Sequence, residues 1–379
     1  MTRRKTLALI GGGVIAAATA TGYAVTRAPD KATLPWSLAG TYTDPRKQAL
    51  SYALLAPNPH NRQPWIVDLS VDHEITLFAD IDKLLPETDP LNRQITVGLG
   101  CFLEVMRMAA AQDGYRIDLQ LFPDGQNDSH LDTRPIARAV FVKDPAQKPD
   151  PLFQHVMSRR SNKEPFDIAR PVAPNALSKI ETAILEDIQF GGSVDPQDIA
   201  ELRELTHVAL KIEVETPRTY QESVELFRIG HREVNANPDG IDFSGPLFET
   251  LHLTGMFSRE TASDTSSTAY KSGLDAVLAN TDTAMGHVWL VSNTNTRLDQ
   301  IKAGQSWVRL NLSTTALGLG LQPLSQVLQE YPEMGTEYQT IHNLLAPNGG
   351  TVQMLGRIGY GRQVAPSPRW PLEAKIAQT

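Results

Sequence analysis

Two long helical patterns that open alike constrain the fold of this chain most. Gln94-Ile95-x-x-Gly98 begins an amphipathic-to-apolar run over residues 92–112, and Gln300-Ile301-x-x-Gly304 begins another over 298–317, at an offset of 206 residues. The apolar period predicts a helix in each place. The same offset carries Gly114 onto Gly320, near the end of each helix. Three matched points can arise by coincidence, but a duplicated α+β unit would explain why helix-then-strand blocks recur in both parts of the chain. Strands are predicted over residues 66–71, 74–79, 115–122 and 137–143 in the first part, and over 287–292 and 351–356 in the second. Further helices are predicted from Asp44-Pro45 to about Leu55, and over 175–187 and 196–214. Residues 28–43 read as a linker. The Gly/Pro/Asn-rich 235–246 and the Ser/Thr-rich 258–268 read as a lid or loop zone.

Thr2-Arg3-Arg4-Lys5 precedes an uncharged stretch, Thr6 to Thr26, with small residues towards its end and Arg27 just beyond. A positive, then apolar, then small-residue order predicts an export signal over residues 1–28, and the paired arginines resemble a twin-arginine signal. The 21 uncharged residues also suffice for a membrane anchor. In either case the excess of positive charge before the span places the body outside the cytoplasm, in the periplasm or on the outer face of the membrane. Gly11-Gly12-Gly13 lies inside this segment and is no phosphate loop. A net charge of −8, with no long basic run beyond residue 5, argues against a nucleic-acid partner. The single cysteine, Cys101, excludes an intramolecular disulfide and a cysteine-cluster metal site.

Three polar clusters remain. In Pro57-Asn58-Pro59-His60-Asn61-Arg62-Gln63-Pro64-Trp65 the prolines stiffen a loop that displays the amides of Asn61 and Gln63. Such amides suit a ligand edge that alternates donors and acceptors; a capped loop entering a strand is the plainer reading. Ser158-Arg159-Arg160-Ser161-Asn162-Lys163 gathers three cations and two hydroxyls, which makes either a phosphate clamp or a solvated helix end. Near the C-terminus, Gly318-Leu319-Gly320-Leu321 allows close backbone approach, and Arg357 and Arg369 follow in Gly-rich and Pro-rich settings. The nine histidines form no His-x-His or His-Glu-x-x-His, so a metal site has little support, and no Gly-x-Ser-x-Gly occurs.

Together these clusters resemble the flavin-site elements of the nitroreductase superfamily: Asn-x-Gln-Pro-Trp at Asn61–Trp65, Arg-Arg-Ser-x-Lys at Arg159–Lys163, Gly-Leu-Gly at Gly318–Gly320, and late arginines. The arrangement looks most like the Acg subgroup, in which two nitroreductase-like halves fuse into one chain, and it spans roughly Asp44 to Lys375. The resemblance implies an α+β, nitroreductase-like fold of two fused similar halves forming a pseudo-dimer. The halves would be residues 29–150 and 151–379, the second containing the lid zone at 235–268. It implies FMN at the seam and hydride transfer through flavin N5 to a flat acceptor such as a quinone or nitroaromatic. The alternative is a flavin-sequestering protein with little turnover.

Carried over by motif, Arg159, Ser161 and either Arg357 or Arg369 would hold the phosphate, with Arg160 and Asn162 in the same cofactor-binding segment. Lys163 would sit by the N1/O2 edge, and Asn61 by the pyrimidine edge. Gln63 and Trp65 would shape the wall, and the Leu319-Gly320 backbone would lie near the ring. Asn58 stands where the family's loop has Ser, and residues 264–271, the loop's counterpart at the same offset, lack its pattern. One composite site in a monomer is therefore expected. An exported body also needs an electron donor other than soluble NAD(P)H, such as a quinol or a partner protein.

Overall fold

The computed structural model describes residues 28–377; residues 1–27, which carry nearly all of the expected export signal, lie outside the described residues. The expected linker is largely a helix, α1 (Asp30–Leu38), which buries Trp36 and points its indole Nε1 at the Ser367 carbonyl, 2.8 Å away. Burial of that ring outweighs a composition that reads as loop. Helix α2 (Pro45–Ala53) starts as expected, with the Asp44 carboxylate accepting from the Arg46 N–H. Then come β1 (Trp65–Asp68), β2 (Glu74–Ala79), the core helix α3 (Arg93–Gln112), β3 (Tyr115–Leu121) and β4 (Pro135–Lys143). These strands make one antiparallel sheet in the order β1-β2-β4-β3.

The second half repeats this plan. After α4 (Pro174–Glu181) and β5 (Gln189–Ser193) comes a long insertion: α5 (Pro196–Glu215), α6 (Pro217–Glu225), β6 (Phe227–Ile229), α7 (Gly230–Ala236), β7 (Ile241–Phe243), α8 (Pro246–Leu253), α9 (Arg259–Ser263) and α10 (Thr268–Thr281). Strand β8 (Gly286–Ser292), core helix α11 (Arg297–Ala316), β9 (Gly320–Pro323), α12 (Gly335–Leu345) and β10 (Thr351–Gly359) complete the unit. Its antiparallel sheet runs β5-β8-β10-β9. Both halves thus read strand, strand, core helix, strand, strand, with the first, second, fourth and third strands adjacent. The fold is α+β, built from two fused similar halves.

The core helices cross where glycine allows. A Cβ on Gly304 would lie 2.0 Å from the Val97 carbonyl oxygen and 2.9 Å from the Gly100 Cα; one on Gly100 would lie 2.2 Å from the Ile301 oxygen and 3.0 Å from the Gly304 Cα. The two contact sets are mirror copies at an offset of 204 residues, which also pairs Arg93 with Arg297 at the starts of the two helices. The structural repeat is therefore two residues shorter than the Gln-Ile-x-x-Gly echo suggests. Close helix approach selects the register, and Gly98 serves another purpose: its face lies against Asn58 Cβ and Pro59 Cδ, each 3.2 Å from a Cβ placed there. The two arginines cross the seam. Arg93 donates to the Gln353 and Leu328 carbonyls at 2.7 and 2.6 Å, while Arg297 donates to the Asn127 carbonyl at 3.1 Å.

The zone read as lid or loop is mostly ordered secondary structure. Ser258 and Thr261 form a capping box at the start of α9, and Ser267 caps α10, so the serines and threonines punctuate helices instead of marking a loop. Strands β6 and β7 pair in parallel, and Phe227, Phe243, Phe248 and Phe257 pack edge to face around them. This gives the insertion a small core of its own.

On β8, His287 is buried, and neither ring nitrogen has a partner among the described residues. Burial first, then the nearby Arg203 and Arg357, pull its pKa from 6.5 to about 3. The neutral form is thus the folded form. Its contribution is present above the unfolded value and lost as pH falls from about 6.5 towards 3, by roughly 5 kcal/mol in full. His287→Leu should flatten this acid limb; urea unfolding at pH 7 and pH 4 would read it, and an unchanged difference between the two pH values would refute it.

Candidate functional site

The proline-flanked loop is strained where function would require it. His60, Asn61 and Gln63 all adopt positive φ (47°, 53° and 51°), a region that non-glycine residues enter at a cost and hold only when their surroundings impose it. Those surroundings come from four directions. Gly98 of α3 supports the loop from below, and the Asn58 side chain accepts from the Gln63 N–H at 2.7 Å. From the insertion, Gln63 Nε2 donates to the Pro238 carbonyl at 2.7 Å and Gly240 N–H to the Asn61 carbonyl at 3.3 Å. From the C-terminal tail, Trp370 N–H donates to Gln63 Oε1 at 2.8 Å and Asn61 Nδ2 donates to the Pro368 carbonyl at 3.0 Å.

Both displayed amides are therefore engaged by the protein. Gln63 is fully enclosed, as is Trp65, which stacks on Phe102 with ring centroids 4.8 Å apart. Trp65 supports the loop from within the core and exposes no wall.

Arginines converge beside this loop. Arg369 donates through Nε to the Leu54 carbonyl, through Nη2 to those of Leu55 and Ala56, and through Nη1 to Asn61 Oδ1 at 2.6 Å. Arg159 donates to the Leu55 carbonyl and to Asn311 Oδ1, each at 2.9 Å. Arg160 lies over the Trp36 ring at 4.5 Å, and Arg369 over the same ring at 5.8 Å. Trp36 sits in the stretch read as linker, so nothing in the composition marked it as part of this site.

No carboxylate pairs with Arg159, Arg160 or Arg369 among the described residues. Burial, then the Arg159 and Arg160 charges, push Arg369 down to about 9; burial and Arg160 push Arg159 down to about 10. Three cations that mutually repel, two of them buried, concentrate positive charge beside the loop, although every nitrogen of Arg369 already donates to a protein oxygen, Ser367 Oγ and the Pro368 carbonyl included. Ser161 is exposed next to them, and Asn162 is buried, its N–H donating to the Leu321 carbonyl.

Arg357 lies elsewhere. It is buried, donates to Gln322 Oε1 at 2.6 Å, to Thr283 Oγ1 at 3.0 Å and to the Glu164 carbonyl at 2.9 Å, and covers the Phe166 ring at 4.2 Å. The structure thus separates the two late arginines: Arg369 joins the Arg159 cluster, whereas Arg357 holds the main chain just after Lys163. Leu319 is buried, and Gly320 opens β9 against Phe166, 2.7 Å from a Cβ placed there.

Lys163 is solvent-accessible, yet enough protein rings its ammonium that desolvation lowers its pKa, with Glu213 opposing the shift. His60 feels the Lys163 charge. Burial, then the Lys163 and Arg62 charges, hold it down to about 4, so it is neutral near neutral pH, and its Nδ1 has no partner among the described residues.

Sequence reasoning missed the clasp that closes the insertion onto the first half. Asp239 is buried and accepts from Lys83 Nζ at 2.6 Å and Arg228 Nη2 at 2.8 Å, with Arg62 Nη1 at 3.5 Å. Burial alone would raise its carboxyl, but the hydrogen bonds from Lys83 and Arg228 outweigh that and hold it below the usual range. Asp239→Asn should open this joint, raising proteolytic cleavage within residues 230–245 several-fold without unfolding the sheets; limited trypsinolysis with mass spectrometry would show it. An unchanged cleavage pattern would mean the clasp is not what closes the insertion.

No protein-family model matches the chain. Over 124 residues it is 32% identical to acg of Mycobacterium tuberculosis, whose name assigns it provisionally to the NAD(P)H nitroreductases; the match covers 33% of this chain and 36% of acg. Relative to acg, then, the chain matches only about a third of the length. Rv3131 of the same organism, with the same designation, is 24% identical over 340 residues, covering 87% of this chain and 90% of Rv3131. Among solved structures, the FMN-dependent nitroreductase NfnB from Mycobacterium smegmatis, in complex with NADPH, aligns at 13% identity with a TM-score of 0.36, over 60% of this chain and 98% of that one. The match to Rv3131 runs nearly the full length of both chains.

Proposed function

We propose that this chain is an FMN-dependent oxidoreductase of nitroreductase type, acting on a flat acceptor such as a quinone or nitroaromatic. The observation that carries this reading is the buried Arg159 and Arg369 pair, with Arg160 beside it and no carboxylate partner among the described residues. That concentration of positive charge suits a phosphate monoester, which would take Arg369 donors by exchange with the protein oxygens that now hold them. Bound FMN supplies the hydride chemistry through its N5.

The protein's own residues bind and orient. Arg159, Ser161 and Arg369 hold the phosphate, and Arg160, stacked on Trp36, keeps water from the guanidinium cluster. Lys163 supplies an exposed positive charge, which would favour a ligand edge on which negative charge develops. The strained 58–63 loop fixes His60, and the Asp239 clasp shuts the insertion against the first half. Asn61 reaches a ligand edge only by giving up its bonds to Pro368 and Arg369.

In this reading residues 29–150 and 151–379 are the two functional halves, one site serves one chain as a monomer, and residues 1–28 export the folded protein or anchor it to the membrane. The electron donor is then a quinol or a partner protein. A second reading, sequestration of the flavin with little turnover, is favoured by the closed Asp239 joint and by the saturation of both loop amides. The visible absorption spectrum of the purified protein tests the shared premise. About one flavin per chain is expected, and a colourless protein that fails to take up added FMN would end both readings. Reduction of the bound flavin by a quinol analogue, followed by reoxidation with a quinone, separates them.

A further inference from the structure

One stretch of the insertion turns apolar side chains to the outside. Residues 243–258 contain no lysine, arginine or aspartate, in a chain of which 21% is charged, and their one carboxylate, Glu249, is buried. Phe248 and Phe257 point into the ring cluster beside β6 and β7. Leu247 near the start of α8, Leu253 at its end and Met256 in the turn beyond stay outside, 65%, 60% and 62% exposed. Gly255, at φ 72°, makes that turn. The Leu251 carbonyl accepts from the Met256 and Phe257 N–H groups at 2.9 and 3.1 Å, which holds the apolar tip in shape. Exposed apolar side chains grouped on an uncharged element mark a contact surface.

Helix α7 places this surface relative to the N-terminal segment. Asn235 Oδ1 accepts from the Ala32 N–H, in the first turn of α1, at 3.0 Å. Four residues earlier, His231 Nδ1 lies 2.9 Å from Glu249 Oε1 of α8. Residues four apart share one helix face, with Cβ atoms about 5–6 Å apart, so the start of α1 and the middle of α8 meet α7 side by side. Only residues 27–29 separate α1 from the uncharged stretch 6–26, a reach of roughly 10 Å. Leu34 of α1 is exposed as well.

We propose that residues 246–257 form a bilayer-contact surface, with Leu247, Leu253 and Met256 seated at the boundary of headgroups and acyl chains beside the point where residues 6–26 enter the lipid. The proposal rests on the anchor reading of residues 1–28 given above. Lipid is the occupant that an uncharged apolar tip suits, because no charged group on it loses water on contact. Beyond α7 the chain reaches Pro238 and Gly240, which bond Gln63 and Asn61 of the strained loop. The surface is thus one short helix away from the proposed site, and a lipid-soluble quinol or quinone is the class of redox partner it favours.

Spin labelling of the full chain tests this. Cys101 is buried and its thiol is held by the Gly304 carbonyl at 3.1 Å, so a nitroxide attaches to an introduced cysteine instead. Leu253→Cys and Met256→Cys are the probes. Val71→Cys, exposed in the β1–β2 turn among Asp68, Asp72 and Glu74, is the reference. Each labelled chain is reconstituted in vesicles of phosphatidylcholine with a minority of phosphatidylglycerol. Saturation of the spin signal then compares access by oxygen, which concentrates in lipid, with access by a water-soluble nickel chelate. The oxygen-to-nickel ratio at residues 253 and 256 should exceed that at residue 71 several-fold. Equal ratios at all three positions would overturn the proposal. So would spin–spin broadening at residue 256 with nickel access blocked and oxygen access unraised, which would assign the surface to a second copy of the chain. Flotation of the vesicles keeps the two readings apart. Chains that float with their labels in water retain the anchor and lose the surface. Labels seated in lipid on chains that mass spectrometry shows to lack residues 1–27 would do the reverse, and chains that do not float would defeat both.

Discussion

Adding one methyl group at Gly304 is expected to destabilise this protein by about 3 kcal/mol or more, enough to leave little soluble chain. The new Cβ would meet the Val97 carbonyl oxygen at 2.0 Å and the Gly100 Cα at 2.9 Å, and both are backbone atoms of the facing helix. No side-chain rotation relieves such a contact; α3 and α11 must separate, and the two sheets they carry move with them. Gly100→Ala should cost a similar amount for the mirror-image reason. The double variant should cost less than the sum, because either substitution already parts the helices. Gly273→Ala in α10 is the control. It has open space within 4 Å and should stabilise by about 0.5–1 kcal/mol through helix propensity alone. Urea unfolding of the four variants reads all of this, and a Gly304→Ala protein as stable as the parent would mean the helix crossing is wrongly placed.

The second large effect concerns the anion cradle. Arg369→Ala should weaken FMN binding by roughly 10- to 100-fold, the scale of one or two charge-assisted hydrogen bonds. Arg159→Ala should do the same, and Arg369→Lys should recover part of the loss by restoring charge without the planar fork. Arg357→Ala should behave differently. Its guanidinium braces the Lys163–Glu164 backbone, so retention of flavin with an altered midpoint potential is expected in place of loss. Fluorescence titration with FMN distinguishes the cases. Retention by Arg369→Ala with loss by Arg357→Ala would reverse the assignment. Because Arg369 also ties down the Leu54, Leu55 and Ala56 carbonyls, thermal unfolding must accompany the titration to separate lost binding from a loosened tail.

Local chemistry made much of this readable in advance. The Asp44 cap, the long apolar run of α3 and the strands at Glu74–Ala79 and Gly286–Ser292 follow from capping and periodicity, which act within a few residues. Strand β5 escaped notice because its Gly191-Gly192 pair has low strand propensity; its place is reserved by Trp289, whose ring lies 2.1 Å from a Cβ set on Gly191. The helices within residues 235–268 were read as lid or loop because Ser258 and Ser267 are read one way as turn formers and another way as helix caps, and only the packing of Phe227, Phe243, Phe248 and Phe257 decides between them.

By itself the sequence determined the residue types of the site and their grouping in three segments, since Arg159–Lys163, the proline-stiffened loop and the late arginines are each local in the chain. Tertiary structure alone decided which late arginine joins Arg159, that the Gln63 amide is held by Pro238 and Trp370, and that Asp239 clasps the insertion shut. Each of these depends on charge, or on hydrogen bonds between residues far apart in the chain, and such terms are set by burial and by which backbones approach closely. The helix crossing at Gly100 and Gly304 shows the division most clearly. Both glycines are plain in the sequence, but their pairing at an offset of 204 residues exists only because two helices come close enough that no Cβ fits between them.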